Sequence, residues 1–324
     1  MPPRGHPGAC HEGRRHHLSL VFETFRRPAI LVLLLGVLAG CGGGDGEETS
    51  SSVFAYDGTA PARLQDSGRV NQDYPIAVHD VSFAVPGGRA QAFLAVPPGE
   101  EPKPAVVYLH GQGGDRSALL VPATWLAARG AVTLALSAPS SSAQRTEATG
   151  VAGLREERDL AVADVVAVRR ALDALAARAD VDADRLGFVG YSAGARTGAV
   201  LAGVEPRLDA LVLMSAGASP VAEYVAAAPA ELKDDVETVL GEIDPLRYAA
   251  LAGDRAVLLQ IGRSDEVVPA EALEAMVESM SDAEVRRYDA GHSLNDAAYR
   301  EHLEWLAGEL EITGPPVPGT QTSP

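Results

Sequence analysis

Two periodicities take turns along the chain. Ile76–Val85 and Ala90–Val96 alternate apolar and polar residues and flank Pro86-Gly87-Gly88-Arg89, a pattern that predicts an antiparallel hairpin. Short unbroken apolar runs follow at Ala105–Leu109, Ala131–Leu136, Leu186–Gly190, Ala210–Met214 and Ala256–Ile261, with a weaker one at Glu284–Tyr288. Runs of that length read as strands covered on both faces. Helical spacing separates them, over Ala118–Arg129, Leu154–Ala179, Ala193–Val204, Ala270–Met280 and Asn295–Leu310. In the longest, Leu160, Val162, Val165, Val166, Val168, Leu172 and Leu175 share one face. An antiparallel start followed by strand–helix alternation predicts an α/β domain with a mostly parallel eight-stranded sheet and helices on both faces. Two segments break the rhythm: the Ser- and Ala-rich Ser137–Gly153, and Ser215–Asp254, whose 40 residues suffice for a small cap insertion but not for a separate lid domain.

The N-terminal pattern is different. Ala29–Ala39 is an apolar run of 11 residues behind Arg26 and Arg27. It is too short for a hydrocarbon core of roughly 30 Å, which takes about 20 helical residues. Basic flank, short apolar stretch and small residues describe a secretory signal peptide. Leu38-Ala39-Gly40-Cys41 resembles the lipobox of bacterial lipoproteins, which implies that Cys41 is lipidated and becomes the first mature residue. The expected organisation is a signal peptide over 1–40, a flexible tether over 41–70, the α/β domain over 71–312 and a disordered tail over 313–324. The resemblance also implies a cell-envelope location, with the protein lipid-anchored on the extracytoplasmic face of a membrane. His6, His11, His16 and His17 lie beside Cys10 in the segment to be removed, so no metal site is expected from them.

Composition then narrows the function. Of 324 residues, 46% are hydrophobic, and 27 Lys and Arg face 44 Asp and Glu for a net charge of −17. The signal segment itself carries five Arg and two Glu, which leaves −20 on the remainder. Such a balance argues against a nucleic-acid binder, which relies on a basic stripe. Cys10 and Cys41 are the only cysteines, so a disulfide framework and a Cys-rich metal site are excluded too.

The chemistry-bearing residues fall at the carboxyl ends of the expected strands, where ligands bind in such sheets. Gly190-Tyr191-Ser192-Ala193-Gly194 is a G-x-S-x-G pentapeptide between a strand and a helix of small residues, the context of a nucleophile elbow. A serine hydroxyl needs a base. Past the signal segment the histidines are His79, His110, His292 and His302. His79 belongs to the antiparallel start and His302 to the interior of the last helix. His292, in the loop after the last strand, is left as the base. For chain order Ser, acid, His, the acid follows strand Ala256–Ile261 in Gly262-Arg263-Ser264-Asp265-Glu266. Asp265 is the expected partner, with Glu266 and Asp289 as rivals. His110 opens His110-Gly111-Gln112-Gly113-Gly114, a turn whose glycines allow close backbone approach. The oxyanion donors expected there and at the elbow are the backbone N–H groups of Gln112 and Ala193.

With these residues in hand, the span from about Gln72 to Leu310 resembles the α/β-hydrolases, and within them the dienelactone hydrolase and acetyl xylan esterase-like branch. The resemblance is carried by Pro104 to Gly111, Val181 to Gly194, Gly262 with Asp265, and Gly291-His292. It implies two-step acyl transfer from a small-molecule ester through an acyl-enzyme on Ser192, with no metal or organic cofactor. Two departures stand out. Dienelactone hydrolases proper carry cysteine where this chain has Ser192, so lactone hydrolysis is not implied, and many relatives have a second glycine where this chain has Ala195. The expected function is therefore a serine carboxylesterase for short or soluble acyl groups. A serine peptidase or acyltransferase on the same scaffold, and a catalytically silent envelope-binding protein, are the alternatives; the oligomeric state is not specified.

Overall fold

The computed structural model describes residues 53–70, 73–143, 146 and 148–315. The expected export signal, Cys41 and the tail from residue 316 lie outside the described residues.

Nine strands form one sheet: β1 (Gln65–Arg69), β2 (Val78–Val85), β3 (Gly88–Ala95), β4 (Lys103–Leu109), β5 (Val132–Leu136), β6 (Val181–Tyr191), β7 (Leu208–Met214), β8 (Ala256–Gly262) and β9 (Glu284–Tyr288). Their spatial order is β1-β2-β3-β5-β4-β6-β7-β8-β9. The first three strands and the β3–β5 pairing are antiparallel, and β5 to β9 run parallel. The count is one above the eight expected. The addition, β1, reads QDSGR and is exposed at every position, so no apolar alternation marks it in the sequence.

β4 shows why the parallel strands read as unbroken apolar runs. Ala105, Val107 and Leu109 enter one core while Val106 and Tyr108 enter the other. The first core lies beneath α3 (Gly150–Ala176), α4 (Ala193–Val204) and α8 (Ala270–Ser279), and the second beneath α1 (Leu120–Arg129) and α9 (Asp296–Glu309). Both faces of a parallel strand are thereby removed from water, and each buried Val or Leu contributes roughly 1.5–3 kcal/mol.

Residues 53–70 correct the expected tether, because this part of it is packed. Phe54 is fully buried, and its ring meets that of Tyr248 edge-on at 5.4 Å. Arg169 donates to the Phe54 carbonyl at 3.0 Å, and the Tyr56 hydroxyl donates to Asp173 at 3.1 Å. The folded unit therefore begins before residue 71. A single buried aromatic in a polar stretch was too little to announce it.

The insertion after β7 holds α5 (Val221–Ala227), a 3-10 turn, α6 (Lys233–Gly241) and α7 (Pro245–Ala249). Arg158 of α3 reaches Glu242 at 3.1 Å, just past α6. A methyl group on Gly203 would strike the Tyr248 backbone of α7. Gly203 lies about three turns along α4 from Ser192. The second half of the expected cap thus packs along the flank of the domain. Within Ser137–Gly153, Pro139–Ser142 forms the short helix α2, and Asp164 accepts from the Ser140 N–H and hydroxyl at 2.9 and 2.6 Å.

Candidate active site

β6 delivers Ser192 to the edge of the sheet in a backbone conformation L-residues avoid, with φ at +55° and ψ at −112°. Two close approaches hold it there. A Cβ on Gly190 would strike the Gly194 carbonyl, and one on Gly194 would strike the carbonyls of Leu109 and His110. The flanking glycines of the pentapeptide thus let the elbow fold on itself and pack against the turn after β4. Ala193 is the first residue of α4, so its N–H has no acceptor within the helix.

The three expected residues converge. His292 Nε2 lies 2.9 Å from Ser192 Oγ, and His292 Nδ1 lies 2.8 Å from Asp265 Oδ2. The Asp265 side chain is 1% exposed and that of His292 15%. The second carboxylate oxygen of Asp265 accepts from the N–H groups of Val267 and Val268, both at 2.9 Å. An ionised acid so held fixes the proton of His292 on Nδ1, leaving Nε2 free to accept from serine. The acid and base loops are also tied together, since the Ser264 N–H donates to the Ala290 carbonyl at 3.0 Å. Glu266 and Asp289, the rival acids, are exposed.

His110 is 4% exposed and has structural partners on both ring nitrogens. Its Nε2 accepts from the Ala138 N–H at 3.0 Å, so Nδ1 carries the proton and donates to the Gly111 carbonyl at 2.6 Å. The imidazole thereby fastens the turn after β4 to the segment after β5. Gln112 stands at the exposed tip of that turn, and its N–H makes no backbone hydrogen bond among the described residues. His79 lies at the surface with Asp66 at 2.8 Å, and His302 is wholly buried.

Two neighbours of the base were not singled out by sequence. The Tyr191 ring packs on the His292 ring, with centroids 5.3 Å apart. Burial raises the Tyr191 phenol above its ordinary pKa, and the Ser293 hydroxyl works in the opposite direction. Ser215, at the end of β7, donates its hydroxyl to the His292 carbonyl at 2.7 Å. Neither carries a motif: an aromatic before the elbow serine and a serine after a strand are common in any α/β chain. Among the described residues no cluster of His, Cys, Asp and Glu could hold a metal ion, and no helix is long and apolar enough to cross a membrane.

Comparisons with known proteins agree with this architecture. Residues 90–303 match the Dienelactone hydrolase family. No curated protein sequence matches the chain. Among solved structures, an acetyl xylan esterase from a Paenibacillus species is similar at 20% identity and a TM-score of 0.64, covering 81% of this chain and 92% of its own. Acetyl xylan esterase 1 from a Thermoanaerobacterium species gives 20% and 0.63, with coverages of 81% and 91%. A cold-adapted esterase from an Arctic intertidal metagenomic library gives 17% and 0.58, with coverages of 76% and 99%.

Proposed function

The chain belongs to the dienelactone hydrolase family, and on that footing we propose that it is a serine carboxylesterase acting on short or soluble acyl esters. One observation carries the reading: an unbroken hydrogen-bond relay from a strained serine through His292 to a buried carboxylate. Ser192 Oγ attacks the ester carbonyl as its proton passes to His292 Nε2. Asp265 stabilises the resulting imidazolium without taking the proton. The oxyanion is held by the N–H groups of Gln112 and Ala193. His292 returns the proton to the departing alcohol, and a water activated by the same imidazole then releases the acid from Ser192.

Packing of α6 and α7 on the flank supports an accessible site, and with it a small or soluble acyl group. The net charge of −20 beyond the signal segment disfavours anionic esters. The resemblance to acetyl xylan esterases makes acetylated sugars the first natural esters to test. The assay is a panel of p-nitrophenyl esters, acetylated sugars and aminoacyl substrates, run with wild type and Ser192→Ala. Acetyl and butyryl esters should turn over fastest, and Ser192→Ala should abolish both turnover and fluorophosphonate labelling. Preferential cleavage of long-chain triglyceride emulsions would overturn the short-acyl reading, and absence of Ser192-dependent labelling would favour a binding protein. Cys41 is proposed as a lipid anchor to the extracytoplasmic face of the membrane. Cys41→Ser should release the protein from the membrane fraction, and continued retention would overturn the anchor.

A further inference from the structure

The carboxyl end of β7 carries no member of the relay, yet Ser192, His292 and the strand that delivers Asp265 are each fastened to it. The Ser192 N–H donates to the Met214 carbonyl at 2.8 Å. The N–H of the next residue, Ser215, donates to the Gln260 carbonyl at 2.8 Å and so ties β7 to the strand that delivers Asp265. The Ser215 hydroxyl donates to the His292 carbonyl at 2.7 Å. Two of these links are backbone groups that any residue would supply. The third belongs to one side chain.

That side chain is held in an unfavourable conformation. Ser215 has φ at +52°, a left-handed backbone that serine adopts rarely and glycine freely, and it is 1% exposed. A glycine here would relieve the strain and keep both backbone links, so strain retained at this position points to a use for the hydroxyl. Its partner is the backbone of the base itself. Tyr191 bounds the His292 ring, and Asp265 holds its Nδ1. The Ser215 hydroxyl fixes the main chain from which that ring projects.

We propose that Ser215 is a positioning residue for the base: its hydroxyl holds the His292 main chain at the height where Nε2 meets Ser192 Oγ. The proposal rests on the serine-esterase reading above. Small displacements of a catalytic group are costly, and about 1 Å can reduce turnover by about a hundredfold.

The test compares Ser215→Gly and Ser215→Ala with wild type by thermal melting, by kcat and KM on p-nitrophenyl acetate, and by the rate of Ser192 labelling with a fluorophosphonate. Ser215→Gly should melt at or above the wild-type temperature, with KM within about twofold, while kcat and labelling rate fall about tenfold. Ser215→Ala keeps the Cβ and its strain, so it should match the kinetic loss and melt lower than Ser215→Gly. In a His292→Ala background Ser215→Gly should cost nothing further, because the residue acts through the base. Wild-type kcat in both single variants, or a further tenfold loss in the His292→Ala background, would overturn the proposal. Full turnover in Ser192→Ala would instead overturn the catalytic reading on which it depends.

Discussion

His292 and His302 lie ten residues apart and occupy opposite kinds of environment. The first projects from a loop at the sheet edge, with a partner at 2.8 Å on one ring nitrogen and at 2.9 Å on the other. The second lies in α9, fully buried, and neither ring nitrogen makes a well-formed hydrogen bond among the described residues. Burial pushes the pKa of His302 down to about 3, and the Ala298 carbonyl a turn earlier works in the opposite direction. Tyr108 nearby is likewise buried, its hydroxyl without a hydrogen-bond partner among the described residues and its ring 6.5 Å from that of His302. The edge of the sheet thus gathers partnered polar groups in strained backbone, and the floor beneath α9 holds polar groups that must stay neutral. The same residue type is placed for the proposed chemistry in one position and is kept neutral by burial in the other.

The sharpest way to break this contrast is to remove the relay. Ser192→Ala or His292→Ala should lower kcat by about a millionfold and Asp265→Asn by about ten-thousandfold, with melting temperatures near wild type. Comparable losses from His302→Leu would erase the distinction between the two histidines. Next in size is the proposed oxyanion turn. Gln112→Pro removes a backbone donor and should lower kcat about a hundredfold or more, whereas Gln112→Ala should leave it within about threefold. Equal losses in both would move the donor to the side chain.

The floor is tested by acid. The unfolded chain takes up a proton on His302 below about pH 6.5, which the native state refuses until about pH 3. The stability from a neutral His302 is complete above pH 6.5 and is lost as pH falls through that window, by about 3 kcal/mol at pH 4 at 1.36 kcal/mol per unit. Unfolding free energies from denaturant titration at pH 7 and pH 4 should converge by about that amount in His302→Leu, and an unchanged pH slope would remove the idea. The smallest expected effect is the most specific. Glu266→Gln and Asp289→Asn should change kcat less than about twofold, since both side chains are exposed and His292 Nδ1 already has Asp265.

The site was readable to the extent that its chemistry sits in short contiguous strings at strand ends. Gly190 to Gly194 and Gly262 to Asp265 each combine a reactive residue with a glycine that close backbone packing requires, and Gly291-His292 lies on the loop that packs against Gly262. Ser215 was not readable, because its φ of +52° and its bond to the His292 carbonyl join residues 77 positions apart. β1 escaped notice for a related reason: an exposed edge strand is specified by its pairing with β2 and not by its own polarity.

Hydrophobic period and chain order by themselves determined the parallel sheet, its covering helices and the strand ends that would carry nucleophile, acid and base. Burial on both faces dictates the residue types of a strand, and local turn geometry dictates its glycines. Tertiary structure alone decided that residues 53–70 join the folded unit, that the insertion lies along α3 and α4, and that the Ser215 hydroxyl meets the main chain of His292. Those features depend on which distant backbones come together, and a one-dimensional pattern records no distance between them.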